Sequence, residues 1–226
     1  MTTALTIIGQ TETCPAEVSI NVLPEGSAVA APLFKGRAAV VTLGCAKNQV
    51  DSEVMLGVLR KSGFEIIADI GQADVAIVNT CGFLQSALKE SINCVLEVAE
   101  YKTKGRLRKL IVAGCAVERY RDELQQSLPE VDCFITLNDV LKVGEAADNT
   151  DAAALEALLS HGGRPYFLYD ETMPRQLSAA RHTAYVKIAE GCDRPCTFCI
   201  IPKIRGAMRS RSIASVINEV RALGAQ

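Results

Sequence analysis

Ala39-Val40-Val41-Thr42-Leu43-Gly44-Cys45 decides how the chain is read. The run from Ala39 to Leu43 is a short, nearly continuous apolar stretch bounded by glycine, which predicts a fully buried strand. Cys45 follows at its end. Working outward, an amphipathic helix is expected over residues 50–61, with Val54, Leu56, Val58 and Leu59 apolar and Gly63 as its stop. Residues 64–67 read as a second strand and 75–79 as a third, which ends at Thr80-Cys81-Gly82. A helix over 84–101 repeats Leu88, Ile92, Val95, Leu96 and Ala99 at helical spacing. A fourth strand, 110–113, ends at Gly114-Cys115, a charged helix runs on to Pro129, and 131–137 offers a last strand. Strands alternating with helices imply right-handed βαβ units: an α/β fold with an open parallel sheet and helices on both faces.

The flanks differ in character. Residues 1–36 show no periodicity and contain Pro15, Pro24 and Pro32, so a disordered extension is expected, with no role for Cys14. Residues 147–181 read as a linker: an alanine-rich helical piece over 152–160, then His161-Gly162-Gly163-Arg164-Pro165 and a further Pro174. The preceding domain spans 37–146. At Ala184-Tyr185-Val186-Lys187-Ile188 a new strand is expected, running into Gly191-Cys192. Ile213, Val216, Ile217, Val220 and Leu223 mark a helix after the cysteine loop. One strand, one loop and one helix cannot bury their own apolar surface, so residues 182–226 are expected to be the start of a second, truncated domain.

Composition narrows the function classes. The 226 residues are 49% apolar and 22% charged, enough for a real core in one or two domains. A formal net charge of −2 gives no global reason to bind nucleic acid or an anionic membrane. No apolar run is long enough to span a bilayer, and Met1 to Gln10 lack the features of a secretory signal. The odd count of nine cysteines then argues against a disulfide framework and for thiolate ligands in a reducing cytoplasm, with a few buried bystanders.

Two cysteine sets carry the chemistry. Cys192, Cys196 and Cys199 have C-x3-C-x2-C spacing directly after a predicted strand. A loop of this kind can bind three irons of a four-iron cluster and leave the fourth open to the amino and carboxylate groups of S-adenosylmethionine. Phe198 would lie beside the cofactor adenine. The competing reading is zinc, with His182 as a fourth ligand, but structural zinc usually draws on paired C-x2-C clusters and the chain has no second pair. Cys45, Cys81 and Cys115 each follow a predicted strand. In a parallel sheet those strand ends share one rim, where ligands bind. Cys94 falls inside a helix and Cys133 at the start of its strand, so both read as ordinary packed thiols.

Several stretches resemble a known family. Leu43-Gly44-Cys45-Ala46-Lys47-Asn48-Gln49-Val50-Asp51-Ser52-Glu53, Asn79-Thr80-Cys81-Gly82-Phe83, and Gly114-Cys115 with Glu118-Arg119-Tyr120 are similar to the amino-terminal domain of the radical S-adenosylmethionine methylthiotransferases. Glu190-Gly191-Cys192, Cys199-Ile200-Ile201-Pro202 and Arg205-Gly206-Ala207-Met208-Arg209-Ser210-Arg211 resemble the opening of their radical domain, the first βα unit of a (β/α) barrel. Ala-Lys-Asn after Cys45 and Gly-Phe after Cys81 look like the branch that modifies an aspartate of a small-subunit ribosomal protein, rather than the transfer-RNA branch.

The resemblance implies methylthiolation of the β-carbon of that aspartate. It implies two 4Fe-4S clusters, an auxiliary one on Cys45, Cys81 and Cys115 and a radical one on Cys192, Cys196 and Cys199. S-adenosylmethionine and a reducing electron donor are the implied partners, with neither membrane nor nucleic acid. Family members continue through the rest of the barrel into a small β-barrel domain, so this chain is expected to be an amino-terminal piece, inactive alone. A non-catalytic iron–sulfur or zinc module is the alternative of another class.

Lys203, Arg205, Arg209 and Arg211 form a basic cluster with two readings, contact with the cofactor carboxylate or an acidic substrate, and a solvated loop. Asn48 is read as a hydrogen-bonding or turn residue, and Asn79 as a hydrogen-bonding one. Asp51, Ser52 and Glu53 are expected to favour the helix amino terminus electrostatically.

Overall fold

A computed structural model describes residues 34–159, 165–179 and 182–225. The expected extension lies almost wholly outside these residues, as do Cys14 and residues 161–164. The main sheet holds β1 (Gly36–Thr42), β2 (Phe64–Ile66), β3 (Val75–Thr80), β4 (Lys109–Gly114) and β5 (Cys133–Ile135). All pairings are parallel and the order is β2-β1-β3-β4-β5. Chain order reverses between β1 and β3, the switch point of a doubly wound sheet.

Alternation along the strands sorts the core into two layers. Ala38, Val40, Val75, Ile77, Ile111 and Ala113 face α1 (Ala46–Lys61) and α5 (Val143–Asp148). Ala39, Val41, Ala76, Val78, Leu110 and Val112 face α2 (Gln85–Ala99) and α4 (Cys115–Ser127). A short α3 (Tyr101–Lys104) extends α2, and α6 (Ala152–Leu158) places Leu155 in the first layer, with Leu159, Tyr169 and Phe167 beyond it. Among the described residues no helix is long and apolar enough to cross a membrane.

Four local expectations differ from the structure. Helix α1 starts at Ala46, not at residue 50, because Cys45 is its extended N-cap (φ −117°, ψ 173°). Asp51, Ser52 and Glu53 therefore fall in the second turn, beyond the reach of the helix dipole, and all three are buried. Asp51 and Glu53 are held by ion pairs, and Ser52 accepts from Asn79. Strand β5 stops at Ile135, where Thr136 Oγ1 turns to donate to Asp139 Oδ2 at 2.6 Å.

Residues 184–188, expected as a strand, form none. Side chains take two of their carbonyls, Tyr185 O accepting from Arg175 and Lys187 O from the Arg211 guanidinium, while the bond from the Arg211 amide to Ile188 O only extends the short pairing that follows. Pairing is confined to β6 (Ala189–Glu190) against β7 (Arg209–Ser210), and it is antiparallel. The short α7 (Ile201–Ile204) lies between them, and α8 (Ile213–Gly224) follows as expected.

Candidate functional site

Thr42 pairs with Asn79, and Thr80 with Gly114, so the carboxyl ends of β1, β3 and β4 lie side by side. Cys45 caps α1, Cys81 follows β3 directly, and Cys115 opens α4. Cys45 and Cys81 flank the switch point. Gly44 and Gly114 precede two of the cysteines with φ of 98° and 97°, a conformation that favours glycine. A side chain at either would also collide. A Cβ at Gly44 would lie 2.9 Å from the Cys81 Cβ, and one at Gly114 would lie 2.2 Å from Asn79 Oδ1.

The two asparagines tie these loops together. Asn48 Nδ2 donates to Leu43 O and Thr80 O, both at 2.9 Å. Asn79 Nδ2 donates to Asn48 O at 2.8 Å and to Ser52 Oγ at 2.9 Å, while its Oδ1 is buried without a partner. Asn48 is thus a hydrogen-bonding residue inside a helix, and the turn reading is set aside.

Cys45 is exposed, whereas Cys81 and Cys115 are buried. Burial pushes the Cys115 thiol up to about 11, against the pull of the nearby Arg205 guanidinium. Arg205 Nη2 stands 3.2 Å from the Cys115 sulfur. The same nitrogen reaches Asn48 Oδ1 at 2.7 Å and Asp51 Oδ2 at 3.0 Å, and Nη1 donates to Glu190 Oε2 at 3.0 Å. Lys187 completes a closed ring of alternating charge. It pairs with Asp51 and, at 3.0 Å, with Glu190, so the ring runs Asp51, Lys187, Glu190, Arg205 and back. Tyr169 donates to Asp51 at 2.5 Å, and Lys47 pairs with Glu190 at 3.1 Å. Burial alone would raise the Glu190 carboxyl, but Lys187, Arg205 and Lys47 hold it at about 2.

The second set sits on an exposed loop. Cys192 and Cys199 are half-buried and Cys196 is exposed. The loop is pinned by Cys192 N to Gly206 O at 3.1 Å, Cys199 N to Cys196 O at 3.1 Å, and Met208 N to Asp193 Oδ1 at 2.9 Å. Phe198 is 91% exposed. Arg209 donates to the carbonyls of Pro165, Phe167, Arg205 and Ala207, so its guanidinium braces the backbone. Arg205 and Arg211 are buried, which excludes the solvated-loop reading for both.

Thiols without carboxylate or imidazole match in chemistry what iron–sulfur clusters take. The rim also leaves bare glycine backbone beside them. Among the described residues, however, no group of three Cys, His, Asp or Glu side chains is closed on a common metal centre. His182 is exposed and not grouped with the loop cysteines. Cys133 is a buried free thiol, pushed up to about 11 by burial. Cys94 is buried in the core beneath α2.

Lys187, Glu190, Tyr169 and Arg175 join the charged network without any motif that marks them for it. The one visible sign was charge at Lys187 and Glu190 inside an otherwise apolar run.

Residues 37–136 match the family described as uncharacterized protein family UPF0004. The chain is 47% identical over 189 residues to "Ribosomal protein uS12 methylthiotransferase RimO" of Syntrophotalea carbinolica, covering 84% of this chain and 41% of that protein. It is 50% identical over 185 residues to the protein of the same name from Heliobacterium modesticaldum, covering 81% and 39%. Over most of its length the chain is thus similar to proteins named as uS12 methylthiotransferases. It spans about two-fifths of the length of these relatives. Its fold is also similar to the radical S-adenosylmethionine methyltransferase TsrM of Kitasatospora setae, solved with cobalamin and a 4Fe-4S cluster bound. The TM-score is 0.50 at 14% identity, over 84% of this chain and 47% of that one.

Proposed function

We propose that the chain carries the two cluster sites of a methylthiotransferase that modifies the β-carbon of an aspartate in ribosomal protein uS12, in a reducing cytoplasm. The observation that carries the reading is the juxtaposition of three thiols at the carboxyl ends of three neighbouring parallel strands, together with a separate C-x3-C-x2-C loop. Cys45, Cys81 and Cys115 would hold an auxiliary cluster, and Cys192, Cys196 and Cys199 a radical cluster. When bound, the second cluster supplies the electron that splits S-adenosylmethionine to a carbon radical.

The chain's own residues would contribute ligation and orientation. Phe198, solvent-facing beside Cys199, is free to stack on the adenine. Arg209 holds the loop backbone, and Arg205 lies on the auxiliary side, so neither is assigned to the S-adenosylmethionine carboxylate. The names of the relatives supply the substrate, and the external reductant is part of the proposal.

Anaerobic reconstitution followed by iron and sulfide analysis tests the reading. Two four-iron clusters per chain are expected, and stoichiometric zinc without sulfide would sink it. Methylthiolation is tested separately, by mass spectrometry of uS12 after incubation with reductant and S-adenosylmethionine.

A further inference from the structure

We infer that Arg205 is a positioning residue for the first thiol set, one that makes the seat of Cys115 depend on the second unit of the chain. Arg205 is only 4% exposed. Its four contacts come from three directions: Asn48 and Asp51 on α1, Glu190 on β6, and the Cys115 sulfur at the start of α4. Nη1 is held by Glu190, and the two N–H groups of Nη2 are shared among Asp51, Asn48 and the sulfur, so the fork is fixed rather than free. The same Nη2 that meets Asp51 also reaches Asn48 Oδ1 and the sulfur. Asn48 in turn holds the carbonyls of Leu43 and Thr80, which lead into Cys45 and Cys81. One side chain from beyond the C-x3-C-x2-C loop therefore touches Cys115 directly and the other two cysteine loops through one intermediary.

Lysine cannot replace this arrangement. A point charge can neutralise the carboxylates, but it lacks the planar fork that spans Glu190 on one side and the sulfur on the other. If the first set holds a cluster, as proposed above, a cation donating to a ligand sulfur stabilises the more negative reduced state and raises the potential. The positioning role rests on that reading only for what the thiol is used for. The contact itself exists in the cluster-free chain.

The experiment compares wild type, Arg205→Lys, Arg205→Gln and the charge-balanced Asp51→Asn/Arg205→Gln, which keeps the question answerable if the single variant unfolds. In the apo chain, timed labelling by N-ethylmaleimide is read at each cysteine by mass spectrometry. Expressed per thiolate, so that loss of the neighbouring cation does not mask the change in access, Cys115 is expected to label at least tenfold faster in Arg205→Gln and in the double variant, with Arg205→Lys between. The rate at Cys133, on the far edge of the sheet, should stay unchanged. Wild-type protection of Cys115 in the glutamine variants overturns the inference, and so does a rise at Cys133 equal to that at Cys115.

In the reconstituted chain, with Cys192, Cys196 and Cys199 replaced by alanine, a redox titration followed by electron paramagnetic resonance reads the first cluster. Its potential should fall in the order wild type, lysine, glutamine. An unshifted potential also overturns the inference. If wild type takes up no first cluster, the functional reading fails while the apo labelling still decides the role of Arg205.

Discussion

Replacing Gly57 with alanine should weaken the protein, although alanine is the better helix former. Gly57 lies within α1, where the exchange alone would be worth about 1 kcal/mol in alanine's favour. Against that stands the segment crossing over the helix. A Cβ at Gly57 would lie 2.5 Å from Pro174 C, 2.6 Å from Pro174 O and 2.7 Å from Arg175 N. These are backbone atoms, far inside the roughly 3.5–4.0 Å of carbon contact, so the segment must lift.

It cannot lift freely, because it is fastened to Glu53 next to the collision. Arg175 donates to Glu53 Oε2 at 2.9 and 2.7 Å, Gln176 N to Glu53 O at 2.9 Å, and Ser178 to Glu53 Oε1 at 3.1 Å. Opening this latch leaves a buried carboxylate short of its partner, a loss of about 3–5 kcal/mol. The net expectation is a destabilisation of about 2–4 kcal/mol once the helix term is set against it. Urea unfolding measures it, and limited proteolysis should show new cuts between 165 and 179. In a double-mutant cycle with Glu53→Gln, the two losses should be markedly less than additive. A variant stabilised by about 1 kcal/mol would show that the segment carries no load and refute the reasoning.

Replacing Cys192, Cys196 and Cys199 with alanine should remove one cluster's iron and sulfide and leave the other's absorption intact; Cys133→Ala should leave both. Loss of both clusters with the triple variant would mean shared ligands. Asp51→Asn should cost about 3–5 kcal/mol in urea unfolding, because it leaves Lys187 and Arg205 facing one buried carboxylate. Asp51→Asn/Arg205→Gln should recover part of that loss. Asp74 gives a pH test. Burial alone would raise its carboxyl, but the Arg37 amide, Arg106 and Arg108 outweigh burial and hold it below the usual aspartate range. A depressed carboxyl stabilises the fold above the unfolded value of about 3.9, and that stability is lost as pH falls through the folded value. The gap in stability between wild type and Asp74→Asn should therefore be full at neutral pH and narrow below about pH 4. A gap unchanged by acid would remove Asp74 from the account.

The sheet was legible because buried parallel strands leave short apolar runs bounded by glycine, and the runs at 39–43, 75–79 and 110–113 all became strands. The rim position of Cys45, Cys81 and Cys115 followed from the same pattern. What escaped was fixed across long separations. The start of α1 has no apolar periodicity, since Asn48 is held by the carbonyls of Leu43 and Thr80 rather than by burial of an apolar face. Asp51 looked like a helix-dipole partner because Lys187 lies 136 residues away in sequence. The strand expected at 184–188 had the right composition, but the side chains of Arg175 and Arg211 claim its carbonyls.

Helix α1 explains why the two thiol sets sit in fixed relation. Its N-cap is Cys45, and its first turn carries Asn48 and so the loops of Cys45 and Cys81. Its second turn carries Asp51 and Glu53, which take Arg205, Lys187 and Arg175 from the rest of the chain. Residues 50–59 are buried all round, which a helix tolerates only when another layer covers its outer face. Here that layer includes segment 174–178 and the charge ring. Sliding the second unit over the first would break buried ion pairs at Asp51 and Glu53 together, each costly to leave half-made. A rigid-body hinge at this junction is therefore the expensive motion. The cheaper freedom belongs to the second set's own loop, whose residues 193–198 are exposed and tied down at few points. Adjustment between the two sets on ligand binding is thus expected in the C-x3-C-x2-C loop, against a first set that α1 and Arg205 hold still.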